Sequence, residues 1–299
     1  MQRYHEMKAR PILGAGSRPQ RQIDTQIRTR GMTLGTSPRA STNLCIKCDP
    51  FSLTIHSVIL KAVEEITKVI LYSLASGATV VAGGFLARAN ILPQGELGRE
   101  ISHGIVAFGG GVLVAAVAFV LAPKGIELLS LPLLTSVFFF GVVCFLFLDR
   151  FIGQHGGRVA QLMTMLMDFI PEAIALGAIF STDRETGLLL ALLIGMQNLP
   201  EAYNSFGDLL ASGFSPNRSL LILAPFSLAG MAAAVFGYSF LAGHDQLVAS
   251  LMLFSAGAIL YLVFQDIAPM AKLKNHWTPA MGATLGFMLG MIAEKLLTY

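Results

Sequence analysis

Eight stretches of about twenty mostly apolar residues recur along this chain, at about 67–88, 103–122, 131–149, 159–181, 187–212, 219–242, 247–271 and 278–297. A helix of that length matches the hydrocarbon thickness of a bilayer. Lipid offers no partner to backbone N–H and C=O groups, so each run must satisfy its own, and only a helix does this within one segment. Eight repetitions leave one fold class: an all-α, polytopic membrane protein with eight transmembrane helices. Composition agrees. Charged residues make up 13% of the 299, about half the share in a soluble domain, and the thirty glycines suit closely packed membrane helices. The partner this composition implies is the lipid bilayer, not nucleic acid.

The connections are short and carry most of the charge, Gly and Pro. Odd-numbered loops and their flanks hold Arg88, Arg99, Arg150, Arg158, Arg218, Lys272 and Lys274, whereas even-numbered loops hold Lys124 and Arg184. The positive-inside rule then puts the odd loops in the cytoplasm and both termini outside. On this topology the Asn217-Arg218-Ser219 sequon faces the cytoplasm and is a chance match. Residues 1–50 form a separate object beside the transmembrane domain 51–299. This arm is rich in Arg, Ser, Thr, Gly and Pro and lacks apolar periodicity, the pattern of a disordered basic arm. It also has the composition of an organelle transit peptide, or reflects a start codon placed too far upstream. The protein is therefore expected in the cell (inner) membrane, or in an organelle membrane if the arm is a transit peptide. Cys45 and Cys48 lack the second ligand pair a structural zinc site needs, and Cys144 lies in an apolar run as core.

Two polar clusters interrupt this apolar background, 29 residues apart: Asp168-Phe169-Ile170-Pro171-Glu172-Ala173 and Gln197-Asn198-Leu199-Pro200-Glu201-Ala202. Carboxylates at membrane depth are costly and mark ion or substrate pathways. Asp168 and Glu172 are spaced i, i+4 on the fourth span. Gln197, Glu201, Asn204 and Asp208 follow i, i+4, i+7, i+11 on the fifth. Each set shares one helix face. Pro171 and Pro200 cannot bond the carbonyls of Met167 and Met196, which adds free oxygens beside the carboxylates. Such oxygen-rich sets suit divalent cations. One bound ion would also offset the repulsion among the acids. A polar network that only pins the two helices together is the plainer reading for the amides.

The doubled motif resembles that of the ZIP (Zrt/Irt-like) family of divalent metal transporters, which pairs His-Asn-x-Pro-Glu-Gly in its fourth helix with a related polar-polar-x-Pro-Glu in its fifth. Phe254-Ser255-Ala256-Gly257-Ala258 with Asp266-Ile267-x-Pro269, and Leu148-Asp149-Arg150 ending the third span, are similar to that family as well. The resemblance covers roughly residues 68–297. It implies a ZIP-like bundle and uptake of a divalent metal towards the cytoplasm. The implied metal-site residues are Asp168, Glu172, Gln197, Asn198 and Glu201, with Asp266 as a transit ligand. The family's binuclear centre is depleted here. Phe169 stands where the family has an amide ligand, and Ala224 precedes Pro225 where many members have Glu. One good metal position is expected, not two. It lacks His and Cys, and oxygen donors tilt the choice among Zn, Mn and Fe away from a dedicated zinc site.

A ZIP-fold protein that binds or senses metal with little transport is the alternative. The chain shows no GxGD, HExxH or Ser/His pairing, so an intramembrane hydrolase is disfavoured, and neither enzymatic activity nor a resident cofactor is expected. Met163, Met165 and Met167 alternate and read as core filler. His56, His103, His155, His244 and His276 fall near helix ends, as interfacial or solvated groups. Gly282, Gly286 and Gly290 form a small-residue face for close helix packing, within the chain or across a homodimer.

Overall fold

The computed structural model of the chain describes residues 50–93, 95–155, 160–274 and 276–298. Residues 1–49 of the basic arm, with Cys45 and Cys48, lie outside the described residues, as does Arg158. All described regular structure is helical. In chain order the helices are α1 (Pro50–Arg88), α2 (Glu96–Leu128), α3 (Leu131–His155), α4 (Ala160–Phe180), α5 (Arg184–Ala211), α6 (Pro216–Phe240), α7 (Asp245–Ala271) and α8 (Thr278–Thr298). Seven of them are long and apolar enough to cross a membrane, by length and composition. The exception is α5, whose 28 residues exceed the required length. Its Gln197, Asn198, Glu201 and Asn204 lower its apolarity, so the helix richest in polar residues reads as the weakest span.

Residues 52–66, ahead of the first apolar stretch, continue into α1 as one helix. Their acids are compensated locally: Lys68 Nζ lies 2.7 Å from Glu64 and 2.8 Å from Glu65. The expected second loop at 123–130 is largely helix, because α2 runs to Leu128. A π turn at Val117–Leu121 absorbs Pro123. The Ala122 N–H donates to Val117 five residues back, so the ladder is already shifted where proline removes a donor. The same arrangement recurs in α7, where the π turn Val263–Ile267 precedes Ala268-Pro269 and Ala268 N–H donates to Val263.

Packing resolves the helices into neighbourhoods. α1 packs on α5 and α6, and α4 on α6. α2 lies along α8 and α3 along α7. α2 meets α5, and α4 meets α7, between these sets. The central core joins Leu113 of α2, Leu176 and Ile179 of α4, Leu190, Leu193 and Ile194 of α5, and Ile259 of α7, all essentially inaccessible. The small-residue face of α8 finds its partner within the chain. A Cβ on Gly282, Gly286 or Gly290 would strike Gly104, Phe108 or Ala115 of α2, so these glycines set the α2–α8 spacing.

Loops pair as alternating crossings require. Lys124 Nζ at the end of α2 lies 3.5 Å from Asp183 Oδ2 ahead of α5, joining the second and fourth loops. Asp183 also caps α5, accepting from Thr186 N at 3.1 Å and Thr186 Oγ1 at 2.7 Å. Burial alone would raise the Asp183 carboxyl, but the Thr186 bonds and the Lys124 ammonium hold it below the usual carboxylate range. At the opposite end, His276 bridges the seventh loop to α2, with Nε2 3.7 Å from Glu96 and Nδ1 3.4 Å from Glu100.

Candidate metal site between α4 and α5

The i, i+4 spacing turns Asp168 and Glu172 of α4 and Gln197 of α5 into the interior. Gln197 Nε2 donates to Glu172 Oε2 at 2.6 Å. Glu172 and Asn198 are fully buried, and Gln197 and Asp168 nearly so. Glu201 interacts electrostatically with both Asp168 and Glu172. Three carboxylates thus share one low-dielectric pocket in which no cationic side chain is found among their interaction partners. Asp168 Oδ1 accepts from Phe169 N at 2.9 Å.

Their oxygens are poorly satisfied. Glu172 Oε1, Gln197 Oε1, Asn198 Oδ1 and Glu201 Oε1 are all buried without a hydrogen-bond partner. They are half of the buried unpartnered side-chain N and O atoms among the described residues. An orphaned polar atom costs about 1–3 kcal/mol, more when charged. Buried acceptors of this kind on Glu172, Gln197 and Glu201 have a cation as one natural complement. The oxygens do not form a ready cage, however. Among the described residues, no three His, Cys, Asp or Glu side chains converge in a metal-holding group. The amide of Gln197 stands against Glu172 with its nitrogen forward, and its own oxygen is one of the orphans.

Asn198 turns the other way, towards α1, where its Nδ2 donates to the Ser76 carbonyl at 3.4 Å. This third wall was not foreseen. Ser73, Ser76 and Thr79 recur every three residues in an otherwise apolar helix, and that polar stripe was the available signal. Ser73 and Ser76 are buried. On the far side, Glu201 and Asn204 line a cavity of about 30 Å³ with Gly109 and Gly110 of α2 and Ile267 and Met270 of α7. A Cβ on Gly109 would meet Pro200 Cγ at 2.9 Å, so glycine lets α2 approach the Pro-Glu turn. Asp208, the last member of the stripe, is exposed near the end of α5.

Three other expectations resolve as follows. Phe169 is buried and its ring fills the space over Gly230 of α6, so an aromatic–glycine contact occupies the place of the missing amide. Ala224 is exposed, so this position on α6 does not face the interior at all. Asp266 sits on the π turn of α7 and interacts with Asp149, which accepts from Tyr261 Oη at 3.1 Å. These groups form a second acidic site, apart from the α4–α5 oxygens. The methionines behave as packing groups: Met165 is buried while Met163 is exposed. Not all histidines are solvated, since His103 Nδ1 is buried without a partner.

The fold is an all-α polytopic bundle in which buried, unpartnered side-chain oxygens lie on two proline-bearing helices. No family model matches the chain. It is similar to two curated proteins. Zinc transporter GufA of Myxococcus xanthus is 29% identical over 150 residues, which cover 48% of this chain and 59% of that protein. Zinc transporter ZIPB of Bordetella bronchiseptica is 26% identical over 251 residues, covering 76% and 81%. The chain thus spans 59% of the first relative's length. Both relatives are named as zinc transporters, and the second carries the ZIP name.

Proposed function

We propose that this protein moves a divalent metal ion across the membrane towards the cytoplasm, through a site formed by Asp168, Glu172, Gln197, Asn198 and Glu201. The observation that carries this reading is the set of buried, unpartnered oxygens on Glu172, Gln197 and Glu201, with the Asp168 carboxyl also buried on α4. Metal-free, the group is unfavourable. A divalent ion would replace repulsion by attraction and supply each oxygen with a partner. Hard oxygen donors accept Zn, Mn or Fe, and the absence of His and Cys argues against strong selectivity for the softer ions. Names of both relatives, as zinc transporters, favour zinc as cargo.

Function follows from the competition between Gln197 and the metal. The amide occupies one Glu172 oxygen through its nitrogen. Rotating the amide would present its oxygen instead, converting a donor that satisfies the empty site into a ligand for the filled one. Between the helix sets, glycine contacts such as Gly109 on Pro200 leave smooth surfaces that can rearrange around the loaded site. Asp266 and Asp149 then serve as an acidic relay at the cytoplasmic end of the path. Uptake into proteoliposomes tests the proposal. Glu172→Ala and Glu201→Ala should abolish flux, and transport equal to the parent would sink it. Competition among Zn, Mn and Fe in the same assay identifies the preferred ion.

A second reading, metal binding or sensing with little flux, is favoured by one observation: the described side chains do not form a finished cage. Saturable binding by calorimetry without flux in the same vesicles would select it.

A further inference from the structure

A groove of about 570 Å³ runs between α2, α7 and α8. Its walls are small and apolar, with Ala107 and Gly110 on α2, Ile267 and Ala268 on α7, and Ala280 on α8. Its lip carries one cation, Lys272. This lysine is exposed and makes no ion pair among the described residues. The acids nearest that end are engaged: Glu100 accepts from Thr278 and pairs with His276, and Glu96 pairs with His276 and Arg99. Lys272 is therefore the free charge at the mouth, with exposed Lys274 two residues on.

We propose that this groove holds one acyl chain of an anionic phospholipid from the surrounding bilayer, with the phosphate on Lys272. Three features fit that occupant. From Lys272 to Val263 the α7 wall spans nine residues, about 14 Å at the helical rise. That is the depth of one leaflet in a hydrocarbon core of about 30 Å. Small side chains on facing helices leave a slot for a flexible chain where larger residues would interdigitate. A lysine at the groove mouth attracts an anionic headgroup in the leaflet that carries such lipids. Gly110 and Ile267 also wall the small cavity beside Glu201, so the lipid chain lies against the back of that cavity.

Lipid retention reads the proposal without any metal. The full-length protein is reconstituted in equimolar phosphatidylglycerol and phosphatidylcholine, extracted in mild detergent, and its co-purifying lipid quantified by mass spectrometry. The parent should retain phosphatidylglycerol over phosphatidylcholine by about five-fold, the size expected for one interfacial charge. Lys272→Glu should remove that preference. Ala280→Phe, at an exposed groove position, should reduce both lipids by blocking the chain. Lys274→Glu should leave the preference intact. The proposal is overturned if Lys272→Glu and Lys274→Glu have equal effects, which would indicate general surface attraction. It is also overturned if Ala280→Phe elutes as a monodisperse protein with its lipid unchanged. If Ala280→Phe does not yield folded protein, the two lysine variants decide the matter.

Discussion

Replacing Glu172 by Gln separates an ion site from a structural lock, because the two assign opposite signs to the same change. The variant keeps the side-chain volume, and its amide oxygen can still accept the 2.6 Å bond from Gln197. It loses the charge assistance of that bond, about 1–2 kcal/mol, the difference between charged and neutral hydrogen bonds. It also removes one of three interacting carboxylates from a fully buried position, where an ion carries an effective penalty of several kcal/mol. The second effect is the larger. Metal-free Glu172→Gln should be no less stable than the parent, gaining up to about 3 kcal/mol. At about 2–4 °C per kcal/mol for a chain of this size, the midpoint would rise by up to roughly 6–12 °C. Metal offsets most or all of that advantage. At a hundredfold excess over Kd the parent gains about 2.7 kcal/mol, and the variant, lacking the central ligand, gains little. The assay heats detergent-solubilised protein with chelator or with Zn, Mn or Fe, and measures the monodisperse fraction by size-exclusion chromatography. The reasoning is refuted if no metal stabilises the parent, or if the metal-free variant melts several degrees lower. Either result would make Glu172 and Gln197 a bolt between α4 and α5.

Other outcomes follow from the packing and caps. Phe169→Ala should cost about 3 kcal/mol, as for large-to-small core changes, yet leave the metal-induced shift intact, because the ring lies over Gly230 and outside the oxygen set. Gly286→Val should destabilise by about 3 kcal/mol, since the new Cβ would strike the backbone of α2 at Phe108. Gly153→Ala on α3, with open space around it, should instead gain up to about 1 kcal/mol from helix propensity. Thermal melts of the two glycine variants compare these directly. Asp183→Ala should cost about 1 kcal/mol through loss of the α5 cap. The folded Asp183 carboxyl lies below its ordinary value of 3.8. Its charge-dependent contribution is therefore complete above that pH and is lost as pH falls through the folded value. A pH series of melts should show the parent and variant converging in that acid window.

How much of this was legible in the sequence depended on whether lipid or protein supplied the constraint. Lipid forbids unsatisfied backbone, so the spans could be read from apolar length alone, and their number and order agree with the eight helices. Where protein satisfies the backbone, the reading slipped. The gap at 123–130 between two spans reads as a loop, yet a π turn shifts the hydrogen-bond ladder ahead of Pro123 and the helix continues, as in α7 before Pro269. The site was half legible for the same reason. Asp168, Glu172, Gln197 and Glu201 declare a shared face through spacing, because a carboxylate has no other tolerable direction in lipid. Which helix completes that face is not encoded in α4 or α5. Ser76 of α1 meets Asn198 through a backbone carbonyl, so the Ser73, Ser76 and Thr79 stripe marks the inward face of α1 but not the partner it meets. On α6 the failure was one of register. Apolar all round, that helix carries no periodic mark of its inward side, so Ala224 could be aligned with a ligand position while facing outward. Gly230, six residues later, is the position that meets the site's neighbour Phe169. A larger residue at 230 would displace Phe169 from its place over α6. The aromatic at 169 and the glycine at 230 are therefore one physical feature, and neither can be interpreted alone.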